Sequence, residues 1–438
     1  MRQSNQFVKR KPASPQPESP AIPGFRFVPR TGVIYVMHEA TQLGFSYDDP
    51  RWVNLGQGSP ETGTIPDAPA RVESLSIPAN TQQYGPVAGN GDLRQAVADY
   101  YNNTFRQGKK SKYTRDNVSI ASGGRLALTR IASALGNINM GHFIPDYTAY
   151  EELLSVFKAF TSIPILLDAE SGYRIPLEAL KKEILGRGLS ALLVSNPCNP
   201  TGQLVEGEDL RNWCSLAREC QCTFIIDEFY SHYIYPREKD SKCKMVSAAA
   251  FVEDVETDPV ILVDGLTKNW RYPGWRISWT LGPKTVIEAI ASAGSFLDGG
   301  ANHPFQNIAA RLLDPQIALQ ETQAIQTHFR MKRDYVLARL KKMGITVEAE
   351  PVGAFYVWAN LSALPGPLSD GMSFFREGLK EKVIIVPGVF FDVNPGNRRT
   401  HGRYTNYCRI SFGPEFKKLE TGLDSLERVI KKFKKKKR

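Results

Sequence analysis

Between about residues 90 and 310 the chain alternates two kinds of apolar spacing. Short, nearly continuous apolar runs at Val118-Ser119-Ile120, Ala191 to Val194, Phe224 to Ile226 and Ile261 to Val263 read as β-strands. Between them, Leu93 to Asn102, Arg125 to Leu135, Glu208 to Cys220 and Thr285 to Phe296 carry apolar residues at helical spacing and read as helices. Strands that alternate with helices need crossover connections, so the pattern predicts an α/β fold with a mainly parallel, doubly wound sheet.

The flanks are patterned differently. Val33, Ile34, Met37 and Leu43 predict a short helix within Thr31 to Leu43, and Trp52-Val53-Asn54-Leu55 predicts a small strand leading into Gly56-Gln57-Gly58-Ser59-Pro60. From about residue 315 an amphipathic helix, Ile325 to Met343, precedes strand-like Phe355 to Trp358 and Val383 to Val386, which predicts a smaller α+β domain. Prolines at 12, 15, 17, 20 and 23, with almost no aliphatic residues among them, predict a disordered, extended arm. The divisions are 1–24 (arm), 25–65 (N-terminal segment), 66–314 (large domain), 315–430 (C-terminal small domain) and 431–438 (basic tail).

Composition narrows the class. The 438 residues are 42% hydrophobic and 23% charged, as in ordinary soluble proteins, and no apolar run approaches a membrane span or forms the apolar core of a signal peptide. The expectation is a cytoplasmic enzyme. Six scattered cysteines do not make a disulfide framework, and the six histidines lack a chelating pair, so no metal is expected. The net charge of +10 is concentrated in Lys9-Arg10-Lys11 and the run Lys431 to Arg438, which read as solvated ends and not as a nucleic-acid surface.

The sharpest chemical signal is Lys268 in Asp264-Gly265-Leu266-Thr267-Lys268, just past the strand-like Val260 to Val263. An amine at the carboxyl end of a buried strand sits where open α/β sheets bind ligands, ready to form a Schiff base. A hydroxyl (Thr267) and a guanidinium (Arg276, in Pro273-Gly274-Trp275-Arg276) nearby point to a phosphate, as does Ser122-Gly123-Gly124-Arg125, a glycine turn feeding a helix N-terminus.

Taken in order, Asn196-Pro197-Cys198-Asn199-Pro200-Thr201-Gly202, then Asp227-Glu228-Phe229-Tyr230, then Thr267-Lys268, then Gly274-Trp275-Arg276 resemble the class I/II, fold-type I aminotransferases that use pyridoxal 5′-phosphate, over roughly residues 31 to 430. The resemblance implies a large domain with a doubly wound sheet, a small α+β domain, and an N-terminal segment packed on the latter. It implies Lys268 as the Schiff-base lysine and general acid/base, Asp227 as the partner of the ring nitrogen, and Tyr230 and Asn199 as partners of the phenolic oxygen. Gly123, Gly124, Arg125, Thr267 and Arg276 would hold the phosphate, and Tyr147 would stack on the ring. Arg125 departs from the family, which often has glutamine there; Gly265 replaces a serine and so loses one hydroxyl contact.

Arg409, in Cys408-Arg409-Ile410-Ser411-Phe412, resembles the arginine that grips the substrate α-carboxylate, and Gly58 lets backbone approach that same group. Tyr84, in Tyr84-Gly85-Pro86-Val87-Ala88-Gly89, matches a tyrosine that reaches the phosphate of a neighbouring subunit, so a homodimer with shared active sites is implied. The expected reaction moves an amino group between an L-α-amino acid and a 2-oxo acid by a ping-pong cycle. The alternatives are elimination, cyclisation or oxidation on the same fold. A cofactor-sensing regulator is disfavoured, since no helix-turn-helix domain precedes the core.

Overall fold

A computed structural model of the chain describes residues 32–157, 159–235 and 243–435, with 8–9, 23–25, 28 and 30 besides. Apart from 8–9 and 23–24, the arm expected over 1–24 lies outside the described residues, as do 436–438 of the basic tail.

The first elements are β1 (Val8–Lys9), α1 (Gly32–Gln42), β2 (Val53–Asn54), α2 (Gly91–Phe105), β3 (Val118–Ala121), α3 (Gly124–Ala134), β4 (Asn139–Ile144) and α4 (Ala149–Val156). Then come β5 (Thr161–Leu166), α5 (Leu177–Gly186), β6 (Leu189–Ser195), α6 (Gly207–Glu219), β7 (Thr223–Asp227), β8 (Val260–Gly265), β9 (Ser278–Leu281), α7 (Lys284–Leu297) and α8 (His303–Leu312). The rest is α9 (Pro315–Met343), β10 (Tyr356–Asn360), α10 (Gly371–Lys380), β11 (Val383–Ile384), β12 (Val386–Pro387), β13 (His401–Gly402), β14 (Tyr407–Ser411) and α11 (Phe416–Lys435).

Seven strands form the main sheet in the order β3-β9-β8-β7-β6-β4-β5. Neighbours from β8 through β5 pair in parallel, whereas β9 runs antiparallel to both β3 and β8. Every residue of β8 is buried, as are the last four residues of β7, which is what a strand covered on both faces by helices requires. Each buried Val, Ile or Leu there contributes about 1.5–3 kcal/mol relative to exposure, so these central strands make a stiff base. In register, Ser195 pairs with Asp227 and Asp227 with Val263, which brings the segments leaving β6, β7 and β8 out at one end of the sheet.

A second sheet, β10-β14-β12, is antiparallel throughout, and β11 pairs in parallel with β2 from the N-terminal segment. The single strand expected over Val383 to Val386 is therefore divided at Ile385: Val383 pairs with Val53, and Val386 with Arg409. Helix α9 begins at Pro315, well before the Ile325 expected from apolar spacing. Asp314 caps it by accepting hydrogen bonds from the amides of Gln316 and Ile317, and Gly344 at φ +83° ends it. Helix α11 continues through Lys435, where the charge pattern predicts a solvated tail. It buries Leu419, Leu423, Leu426, Val429 and Ile430 along one face, while Lys431 and Lys432 pair with Glu427 and Glu381. Strand β1 pairs with β13.

Candidate active site

Strand β7 ends on Asp227, whose carboxylate accepts a 2.8 Å hydrogen bond from the Tyr150 hydroxyl and a 3.3 Å bond from the Phe229 amide. The side chain is buried, and that burial pushes its pKa up to about 6, against the opposing influence of Tyr150, Phe229 and Lys268. One strand over, the chain leaves β8 through Leu266 and Thr267 to Lys268, whose amine donates to the carbonyl of Gly58. Removal from water, followed by the fields of Arg409, Arg276 and Arg125, brings the Lys268 amine down to about 7. A lysine so lowered loses its proton far more readily than a free lysine, which is what a nucleophile or base at neutral pH requires.

The turn between β3 and α3 meets the same end of the sheet. Gly123 has φ +90°, and a Cβ there would collide with the Arg276 guanidinium, so only glycine lets that arginine lie against the turn. Among the described residues, the α3 N-terminus has no side-chain cap and the buried Thr267 hydroxyl has no partner. Amides, hydroxyl and guanidinium are the donor types that could together make an anion cradle. Arg125, exposed on the first turn of α3, points its guanidinium to the Tyr147 hydroxyl at 3.2 Å. Tyr147 lies edge-on to Tyr150, ring centroids 5.4 Å apart. At Gly265 a Cβ would lie 2.6 Å from the Ser278 Cα, so no side chain fits there without displacing β9.

The third component comes from the small sheet. Arg409 on β14 is buried, donates to the Asn199 side-chain oxygen at 2.8 Å and to the Gly56 carbonyl at 2.6 Å, and its Nε has no partner among the described residues. Gly58 follows on the same loop, and a Cβ there would collide with the Tyr356 hydroxyl. Tyr356 and Tyr230 lie hydroxyl to hydroxyl at 2.7 Å, both buried. One expected residue is not brought in: Tyr84 is 100% exposed, on an open cleft of ≈ 690 Å³ that it shares with Gln83, Asp298, Gly300 and His303.

Tyr150 and Tyr356 take part in this arrangement without having been expected. Tyr150 has a faint signal, lying three residues past Tyr147 on a helix start, but its bond to Asp227 spans 77 residues of sequence. Tyr356 reads as an ordinary strand residue in Phe355 to Trp358, and only the packing of β10 against Tyr230 gives its hydroxyl a role.

The chain as a whole is similar to known proteins. A Pyrococcus abyssi protein named aspartate aminotransferase is 26% identical over 397 residues, covering 87% of this chain and 92% of that one. A probable aspartate/prephenate aminotransferase of Aquifex aeolicus is 24% identical over 384 residues, 87% of this chain and 91% of its own length. Among solved structures, a single mutant of Thermus thermophilus aspartate aminotransferase superposes with a TM-score of 0.72 at 25% identity, covering 92% of this chain and 97% of that one. Residues 50–426 match the family described as aminotransferase class I and II, a span that takes in every strand of the seven-stranded sheet together with Lys268 and Arg409. The chain belongs to that family.

Proposed function

We propose that this aminotransferase holds pyridoxal 5′-phosphate and moves an amino group between an L-α-amino acid and a 2-oxo acid in two half-reactions, with Lys268 as the anchoring amine. The observation that carries the reading is the convergence, at one sheet end, of a lysine amine lowered to about 7, a buried carboxylate, and an uncapped glycine turn beside an unpartnered hydroxyl. The donors fit the cofactor feature by feature. A buried hydroxyl left unpaired costs about 1–3 kcal/mol, and a phosphate oxygen at Thr267 would remove that cost. Gly123, Gly124, Arg125 and Arg276 surround the same place, Asp227 would face the ring nitrogen, and Tyr147 would cover the ring.

When bound, pyridoxal phosphate supplies an electron-poor ring that makes the substrate Cα–H bond acidic. Asp227 keeps a proton on the ring nitrogen, because a buried carboxylate favours the charged pyridinium. Tyr150 holds that carboxylate in place through its 2.8 Å bond. Tyr230 and Asn199 donate to the phenolic oxygen; Asn199 has its oxygen committed to Arg409, which leaves its NH₂ for that purpose. Arg409 takes the substrate carboxylate in a two-pronged ion pair, with Gly58 making room for it. Lys268, once its amine is free, takes the Cα proton.

The fully exposed Tyr84, on its cleft, supports a homodimer in which this tyrosine completes the partner's phosphate site. No helix among the described residues is long and apolar enough to cross a membrane, which is compatible with a cytoplasmic enzyme. The two relatives named for aspartate or prephenate make aspartate, as amino donor, and prephenate, as 2-oxo acid, the first substrates to try.

The test is Lys268→Ala. The unmodified protein with pyridoxal phosphate should show a visible absorption band, and one equivalent of a good amino acid should convert it to pyridoxamine phosphate with release of the 2-oxo acid. The variant should lose both the band and turnover while keeping its fold by circular dichroism. A variant that retained the band and full turnover would sink the assignment, and release of ammonia in place of pyridoxamine phosphate would move the reaction to elimination.

A further inference from the structure

Tyr356 stands where three parts of the site meet. Its hydroxyl lies 2.7 Å from that of Tyr230, and the two rings are edge-on with centroids 5.5 Å apart. Its ring face lies under the Arg409 guanidinium, 4.2 Å from carbon to centroid. Its hydroxyl also occupies the space a side chain at Gly58 would need, and the Gly58 carbonyl accepts from Lys268. The residue is fully buried on β10, where Tyr356 pairs with Ser411 and so sits one strand across from Arg409.

Two physical consequences follow. A tyrosine hydroxyl has one proton to give; if Tyr230 directs its proton at the bound cofactor, the donor in the 2.7 Å contact is Tyr356. Donation into the Tyr230 oxygen polarises that hydroxyl and makes it a stronger donor in turn. The guanidinium, meanwhile, lies on an aromatic face away from water, which holds it flat while its Nε has no partner. The titratable and charged groups facing Tyr356 are Arg409 from β14, Tyr230 and Asp227 from the end of β7, and Tyr147 from the turn after β4.

We propose that Tyr356 is a positioning residue serving both halves of the reaction site at once, its hydroxyl sharpening the donation from Tyr230 to the cofactor and its ring fixing the arginine that receives the substrate carboxylate. This rests on the pyridoxal phosphate reading given above.

Two variants separate the hydroxyl from the ring. Tyr356→Phe removes only the hydroxyl. Weaker donation by Tyr230 leaves the cofactor's phenolic oxygen less able to hold negative charge, so protons leave the bound chromophore at higher pH. The pH midpoint of its visible absorption should rise by about half to one unit, the size of shift that one lost hydrogen bond produces. KM for the best amino acid should stay within about twofold, because the aromatic face under Arg409 remains. Tyr356→Leu removes the face as well, and KM should rise about tenfold over the Phe variant. An unmoved midpoint in Tyr356→Phe overturns the role of the hydroxyl, equal KM values in the two variants overturn that of the ring, and either result defeats a dual role. An unmodified protein without a visible band overturns the functional reading and this inference together, whereas a normal band there with unmoved variants defeats the inference alone.

Discussion

The two ends of the site are built in opposite ways. The anion cradle joins two short runs of sequence: Gly123 and Gly124 begin the helix whose amides they expose, and Thr267, Lys268 and Arg276 follow one strand within a dozen residues. The carboxylate end is assembled from afar, since Arg409 bonds to Gly56 across 353 residues of sequence and to Asn199 across 210. A cradle of two such runs is shaped largely by backbone geometry once β3, β8 and α3 pack. An assembled pocket depends on how the small sheet and the N-terminal loop sit on the large one, held by contacts such as Lys332 and His328 to Glu61 on that loop. On the proposed assignment, cofactor binding and substrate binding should be separable by mutations at the two ends.

The largest expected effect is at the assembled end. Arg409→Leu should raise KM for amino acids by about 30-fold or more, since losing a buried charged pair typically costs about 2–5 kcal/mol. Affinity for pyridoxal phosphate should change little. Equilibrium titration of the cofactor alongside steady-state kinetics checks both halves; loss of cofactor with KM intact would give Arg409 the wrong ligand and end the proposed division.

The mirror experiment is Gly123→Ala. The added methyl runs into the Arg276 guanidinium at a backbone φ of +90°, so cofactor affinity should fall by about tenfold or more, and KM measured at saturating cofactor should hold. A KM that moved as far as the cofactor affinity would show the two ends to be one coupled unit.

The smallest effect is expected at the C-terminus. Deleting residues 434–438 removes the basic end that follows Ile430, the last buried position described on α11, and kcat should stay within about twofold by steady-state assay. A tenfold loss would show that the tail acts on the site.

Much of this was legible beforehand because the relevant interactions are short-range in sequence. A glycine turn before an apolar helix, a carboxylate closing an apolar run and a lysine just past another each declare both their element and their end of it: Asp227 ends β7, Lys268 lies just past β8 and Gly123 immediately precedes α3. The strands β4 and β5 escaped because Asn139 to Ile144 and Thr161 to Leu166 mix glycine, histidine, proline and serine with their apolar residues, and only burial in the sheet makes such segments strands. The division of Val383 to Val386 between two sheets escaped because nothing in an apolar run names its partner.

The chain by itself determined the fold class, the order of the motifs and the chemical identity of each group at the sheet end, because periodicity and turn chemistry act over a few residues. The tertiary structure alone decided which of those groups touch. It turned Arg125 to Tyr147, kept Tyr84 out of its own site, and brought Tyr150 onto Asp227 and Tyr356 between Tyr230 and Arg409. The physical reason is that a hydroxyl's partner is set by where two packed elements place it to within an ångström, and such a distance across 77 or 126 residues is a property of the assembled core.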